Sequence, residues 1–127
     1  MRDFKRLPDK ITQLKQLEHL DLQHSGIRQL PENIGELESL KRIILLFSDI
    51  ENLPEAICDL PDLERIHLGA TKIGELPPCL NKLESLKEFI LFYEDGTEFP
   101  DELQWQVDQL QRDLTHCKFF IKNRKIE

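Results

Sequence analysis

Residues 53–75 read LPEAICDLPDLERIHLGATKIGE, and residues 30–52 before them read LPENIGELESLKRIILLFSDIEN. Laid one over the other, Leu53 falls on Leu30, Ile57 on Ile34, Leu60 on Leu37 and Leu63 on Leu40. Ile66 then falls on Ile43, Leu68 on Leu45 and Ile73 on Ile50. The 23-residue step extends outward in both directions: Leu-Pro stands at 7–8, 30–31, 53–54 and 76–77, and Phe99-Pro100 continues it conservatively. The first unit supplies Ile11, Leu14, Leu17, Leu20, Leu22 and Ile27. The fourth supplies Leu80, Leu83, Leu86, Phe89 and Leu91, and loses register at Gly96. Self-similarity at such a period marks an architecture of stacked units.

Two periodicities alternate inside each unit. Leu20 and Leu22 are spaced for one face of a strand. Ile11, Leu14 and Leu17 have the three-residue spacing of a short 3₁₀ or helical turn. One unit cannot bury its own apolar face, but stacked units share a continuous core with a parallel sheet along one side. Leu63 is therefore expected to be fully buried between the second and fourth units. The pattern LPxxIxxLxxLxxLxLxxxxIxx resembles the leucine-rich repeat family, most closely its 23-residue class in bacterial and plant Ras-group proteins. The resemblance covers residues 7–98. It implies an α/β solenoid, a short horseshoe with a concave parallel sheet and a 3₁₀ or helical convex side. The family usually carries Asn after the strand; here Ser25, Ser48, Thr71 and Glu94 stand there. Hydroxyls can close the same turn more weakly. An ionised Glu cannot donate, so the fourth turn, at Glu94 and Gly96, is expected to be irregular.

Residues 99–127 leave the pattern. Leu103, Val107, Leu110 and Leu114 recur at helical spacing, with Pro100, Asp101 and Glu102 suited to a helix start. Residues 117–122, CKFFIK, alternate like a strand, and Cys117 reads as a small buried hydrophobe. A longer helix followed by a Cys-containing strand resembles a bacterial-type C-terminal cap. The organisation expected is thus a single domain over 1–127, with four repeats in 7–98 and a cap in 99–127. At the other end Phe4 occupies a core register with nothing capping it, which leaves an exposed edge open to pairing. Arg2, Asp3, Lys5, Arg6, Asp9 and Lys10 could shield that edge.

The chain has 127 residues and a net charge of -7. That balance argues against a nucleic-acid binder, which needs a basic face, and against docking on an anionic membrane. No apolar run approaches the roughly 20 residues that span a bilayer. MRDFKRLPDK lacks the apolar stretch of a secretory signal, which favours a cytoplasmic protein unless the chain is cut from a secreted parent. GxxxxGK, HExxH and GxSxG are absent, so no catalysis is expected. The three cysteines do not suggest a disulfide framework. Cys58 and Cys79 fall on the helical side of successive units at different offsets and read as ordinary thiols. His19, His67 and His116 would come from alternate strands, about 9–10 Å apart at the usual strand spacing, too far for one metal ion. Neither metal nor cofactor is expected.

The informative residues alternate with the core leucines and point out of the concave sheet. Strand 1 offers His19, Asp21, Gln23 and His24, all polar. Strand 2 offers Arg42, Ile44, Leu46 and Phe47; strand 3 offers Arg65, His67, Gly69 and Ala70; strand 4 offers Glu88, Ile90, Phe92 and Tyr93. The last strand adds His116, Lys118 and Phe120. Strands 2 and 4 are apolar on both faces, and Gly69 and Ala70 between them would form a shallow floor. Exposed apolar patches of this kind mark interaction surfaces. The reading is a module that binds another protein through this groove, with Phe120 at its margin. The alternative is a self-assembling protein whose uncapped first unit and apolar face mediate homo-oligomerisation.

Overall fold

The computed structural model describes residues 7–93 and 97–122. Phe4, the charged residues around it, and the expected irregular turn at Glu94 and Gly96 lie outside the described residues. Four 3₁₀ turns alternate with strands: η1 (Asp9–Gln13), β1 (His19–Asp21), η2 (Ile34–Glu36), β2 (Arg42–Ile44), η3 (Glu55–Asp59), β3 (Arg65–Gly69), η4 (Pro78–Lys82) and β4 (Glu88–Phe92). The helix α1 (Asp101–Asp113) and the strand β5 (Lys118–Lys122) follow. All five strands form one parallel sheet in sequence order. Leu20 pairs with Ile43, Ile43 with Ile66 and Ile66 with Phe89, so the 23-residue step of the sequence is the register of the sheet. The step from Phe89 to its partner Phe119 is 119 − 89 = 30 residues. The added length is spent on α1, a full helix where earlier units have turns of three to five residues.

The 3₁₀ turns follow from the Leu-x-x-Leu spacing, since three residues per turn put every third side chain on one line. Each turn closes the same way, with Leu14, Leu37, Leu60 and Leu83 donating backbone N–H groups to the carbonyls of Ile11, Ile34, Ile57 and Leu80. Pro8, Pro54 and Pro77 enter the turns in extended conformation and hold the chain out of a longer helix. In the middle units the core is closed: Ile34, Leu37, Leu40, Ile43, Leu45, Ile57, Leu63, Ile66 and Leu68 are fully buried. Burying one such side chain contributes about 1.5–3 kcal/mol. The first unit differs. Leu14 is 53% exposed, and Ile11, Leu17 and Leu22 are only partly buried. Among the described residues η1 and β1 have a neighbouring unit on one side only.

The turns after the strands use hydroxyls as the sequence suggested. Ser48 Oγ donates to the Leu45 carbonyl at 2.8 Å, and Thr71 Oγ1 to that of Leu68 at 3.0 Å, both within the buried interior. Ser25 Oγ accepts weakly from the Ile27 N–H at 3.4 Å. The residue before each hydroxyl takes a left-handed backbone: φ is 61° at His24, 58° at Phe47 and 55° at Ala70. Non-glycine residues adopt this conformation at a cost, and the 23-residue step repeats it three times.

Two tertiary links were not anticipated. The Gln106 amide of α1 donates to the Leu76 carbonyl at 2.8 Å and accepts from the Leu76 N–H at 2.7 Å, as a neighbouring strand would. The second corrects the sequence reading: Cys58 in η3 and Cys79 in η4 form a disulfide, with Cα atoms 6.0 Å apart. Their unequal offsets argued against pairing. On the stacked turns, however, the nearest side chain of the next unit lies on a diagonal, here 21 residues on instead of 23. Cys117 is free and buried as expected.

Candidate functional site

The register fixes which outward side chains share a row across the sheet. The first row is His19, Arg42, Arg65, Glu88 and Lys118; the second is Asp21, Ile44, His67, Ile90 and Phe120. Farther along, Gly69 is level with Phe92 and Lys122. One edge of the face is therefore charged and the next row largely apolar. Ile44, Leu46, Ile90 and Phe92 are half-buried, and Phe120 is 54% exposed. Among the described residues every 3₁₀ turn and α1 serves as a crossover on the opposite, convex side, so no helix of the chain covers these side chains.

Three expectations about the groove change. The floor at Gly69 and Ala70 is not open. A Cβ on Gly69 would stand 2.2 Å from the Phe92 ring and 2.7 Å from Leu46 Cδ2. The Phe92 ring thus lies across the glycine and meets Leu46, which joins the two apolar walls and leaves Gly69 buried. Tyr93 does not stand in the groove: its hydroxyl donates to the Ile73 carbonyl, and its ring packs edge-on against Phe99 at 4.9 Å between centroids. Burial there pushes the Tyr93 phenol above its ordinary value. His116 is exposed and precedes β5, outside the sheet. Phe47 is 44% exposed and stacks on His24, with centroids 4.7 Å apart and planes 3° from parallel. His24, polar in the sequence, thus has an aromatic partner one repeat step away.

The charged edge has its own order. Glu88 Oε1 accepts from Arg65 Nε at 3.2 Å and lies 3.1 Å from His67 Nε2. Arg65 also meets Glu64 at 3.6 Å, and Lys87 meets the other oxygen of Glu64 at 3.7 Å. Arg42 is different. Its Nε is buried and makes no hydrogen bond among the described residues, a desolvation cost of about 1–3 kcal/mol for a buried donor. Beyond Phe47, a hollow of about 530 Å³ is lined by Ser48, Asp49, Ala70, Thr71, Lys72, Tyr93 and Thr97. The Ser48 and Thr71 hydroxyls there are already committed to turn carbonyls, and Lys72 lies 3.8 Å from Asp49.

Among the described residues no three His, Cys, Asp or Glu side chains converge as a metal site, and no helix is long and apolar enough to cross a membrane. The Cys117 thiol is pushed up to about 11 by burial, with Glu88 adding to the effect, so it stays protonated and unreactive at neutral pH.

Comparison with known proteins places this geometry. A family model described as a leucine-rich repeat region matches residues 5–117. A leucine-rich repeat protein of Leptospira interrogans is similar in structure, with 27% identity and a TM-score of 0.77 over 89% of this chain. This chain spans 27% of that protein's length. The leucine-rich repeat domain of the type III effector XopL aligns over 94% of this chain and 73% of its own, at 12% identity and a TM-score of 0.28, too distant to bear on the argument. No curated protein matches the chain. The match over residues 5–117, together with a 23-residue repeat that is also the register of a parallel sheet, places the chain in the leucine-rich repeat family.

Proposed function

We propose that the chain is a non-catalytic module that binds another protein through its concave sheet. Leucine-rich repeat domains are generally interaction scaffolds, and a solenoid's concave surface is the one its curvature offers to a partner. The observation that carries the proposal is the run Ile44, Leu46, Ile90, Phe92 and Phe120 on a face that no helix among the described residues covers. Arg42, Arg65, His67 and Glu88 border that run and would set orientation, while Phe47 extends it past the strand ends. Gly69 serves the site from beneath, by letting Phe92 lie flat. Tyr93 supports the adjoining turn. We read α1 and β5 as a C-terminal cap that closes the core.

The test is capture of a partner by the intact chain and by a variant carrying Ile90→Ser and Phe120→Ser. Both residues point away from the core, so circular dichroism should show an unchanged fold. The partner, identified by mass spectrometry, should be lost from the double variant; equal recovery from both would refute the concave-face reading.

One observation favours self-assembly as a second reading. The apolar side of η1 exposes Leu14, with Ile11 and Leu17 beside it, and a second copy could cover them. Sedimentation of the chain against a Leu14→Glu variant decides this, since only an assembly through that end would dissociate. On location, the disulfide favours oxidising surroundings, because a reducing cytosol would hold Cys58 and Cys79 as thiols.

A further inference from the structure

We infer that the groove recognises an extended partner segment in which an acidic side chain, two residues from an apolar one, pairs with Arg42. The inference rests on the concave-face reading and adds the partner's chemistry to it. Arg42 is a cation of this face whose buried Nε has no hydrogen-bond partner among the described residues. Arg65 is held by Glu88 and Glu64. Lys118, level with Glu88, is exposed. Among the described residues, no carboxylate comes within 4.0 Å of Arg42. Its neighbours in the row are His19 and Arg65, neither of them acidic. Glu88, one strand farther on, already serves Arg65 and His67 through a single oxygen.

The surroundings select a carboxylate over other acceptors. The whole chain carries a net charge of -7, so most of its surface repels an acid. On this face Arg42 stands beside Arg65 in the row, with no acidic residue directly level with it on either neighbouring strand. A guanidinium matches a carboxylate through two parallel hydrogen bonds, stronger than those to a neutral carbonyl. Arg42 is half-buried, and attraction between opposite charges is stronger where water is partly excluded.

The spacing follows from the strand. Arg42 and Ile44 are successive outward positions of β2, and Leu46 is the next. Alternate residues of an extended chain are about 6.6 Å apart. A segment lying along β2 therefore sets a carboxylate over Arg42 and, two residues away, an apolar side chain over Ile44. A further apolar residue would reach Leu46 and the edge of Phe92.

The experiment is selection of a phage-displayed random dodecapeptide library on the intact, oxidised chain. Recovered peptides are then measured on two variants of the groove, Ile44→Ser with Leu46→Ser and Ile90→Ser with Phe120→Ser. Recovered sequences should be enriched in Asp or Glu two places from an apolar residue. As synthetic peptides they should bind Arg42→Gln at least tenfold more weakly. Changing the peptide's acid to its amide should weaken binding as much, and the two changes together should cost little more than either alone. Should Arg42→Gln fail to fold, the peptide amide measured on the parent chain decides. Groove-dependent peptides with no acid enrichment, or with the amide binding equally well, overturn this inference and leave the concave-face reading standing. Peptides indifferent to both groove variants, or no peptides at all, overturn both.

Discussion

Single residues carry the tension between fold and surface. Phe47 holds a left-handed backbone that a phenylalanine adopts at a cost, and nearly half of its surface is exposed. Replacing it by Gly and by Val removes the ring in both cases and isolates the backbone term. The Gly variant should be more stable than the Val variant by about 1–2 kcal/mol in urea unfolding, since a β-branched residue fits this conformation worst. Equal stabilities would mean that the turn relaxes out of the left-handed region. Cys117 gives the chain an alkaline weakness. Its folded thiol keeps its proton up to about 11, against an ordinary 9.0. The unfolded chain therefore ionises first, so the contribution is intact below about pH 9 and is lost as pH rises toward 11. Between pH 8 and pH 10, Cys117→Ala should lose less stability than the parent. An equal loss would show that the thiol is not the titrating group.

At the scale of elements, legibility in the sequence follows periodicity. Leucines at fixed spacing must all be buried by the same neighbour, so the sheet order, its register and the 3₁₀ turns could be read directly. The pattern Leu103, Val107, Leu110 disclosed α1 for the same reason. What broke the period could not be read. The disulfide joins residues 21 apart in a 23-residue repeat, and the Gln106–Leu76 pairing joins a side chain to backbone. The groove was legible as to residue type and not as to shape. Alternation says that Phe92 and Tyr93 leave the core, but their directions depend on the space over Gly69 and on the Ile73 carbonyl. The disulfide offers the sharpest check at this scale. A thiol assay in denaturant without reductant should find one free thiol per chain, and three after reduction. Closing a loop of this length stabilises by about 3 kcal/mol in the chain-entropy view, so reduction should lower unfolding stability by about that amount while the repeat core stays folded. Three thiols before reduction would contradict the link.

At the scale of the whole molecule, the two sides of the solenoid have different work. The convex side is tied together by the turns, the disulfide and the α1 contact with Leu76. The concave side spends few of its side chains on the chain itself: the Arg65–Glu88–His67 cluster and the Phe92 ring are ordered within it, while Ile44, Ile90 and Arg42 are half-buried and Phe120 exposed on a face that no helix among the described residues covers. Hydroxyl-radical footprinting of the chain, alone and with its captured partner, tests this division most directly. Protection on binding is expected at Ile44, Leu46, Ile90, Phe92 and Phe120, with Pro78, Trp105 and Leu14 unchanged. Protection confined to Pro78 and Trp105 on the convex side, with the concave residues as reactive as before, would contradict it.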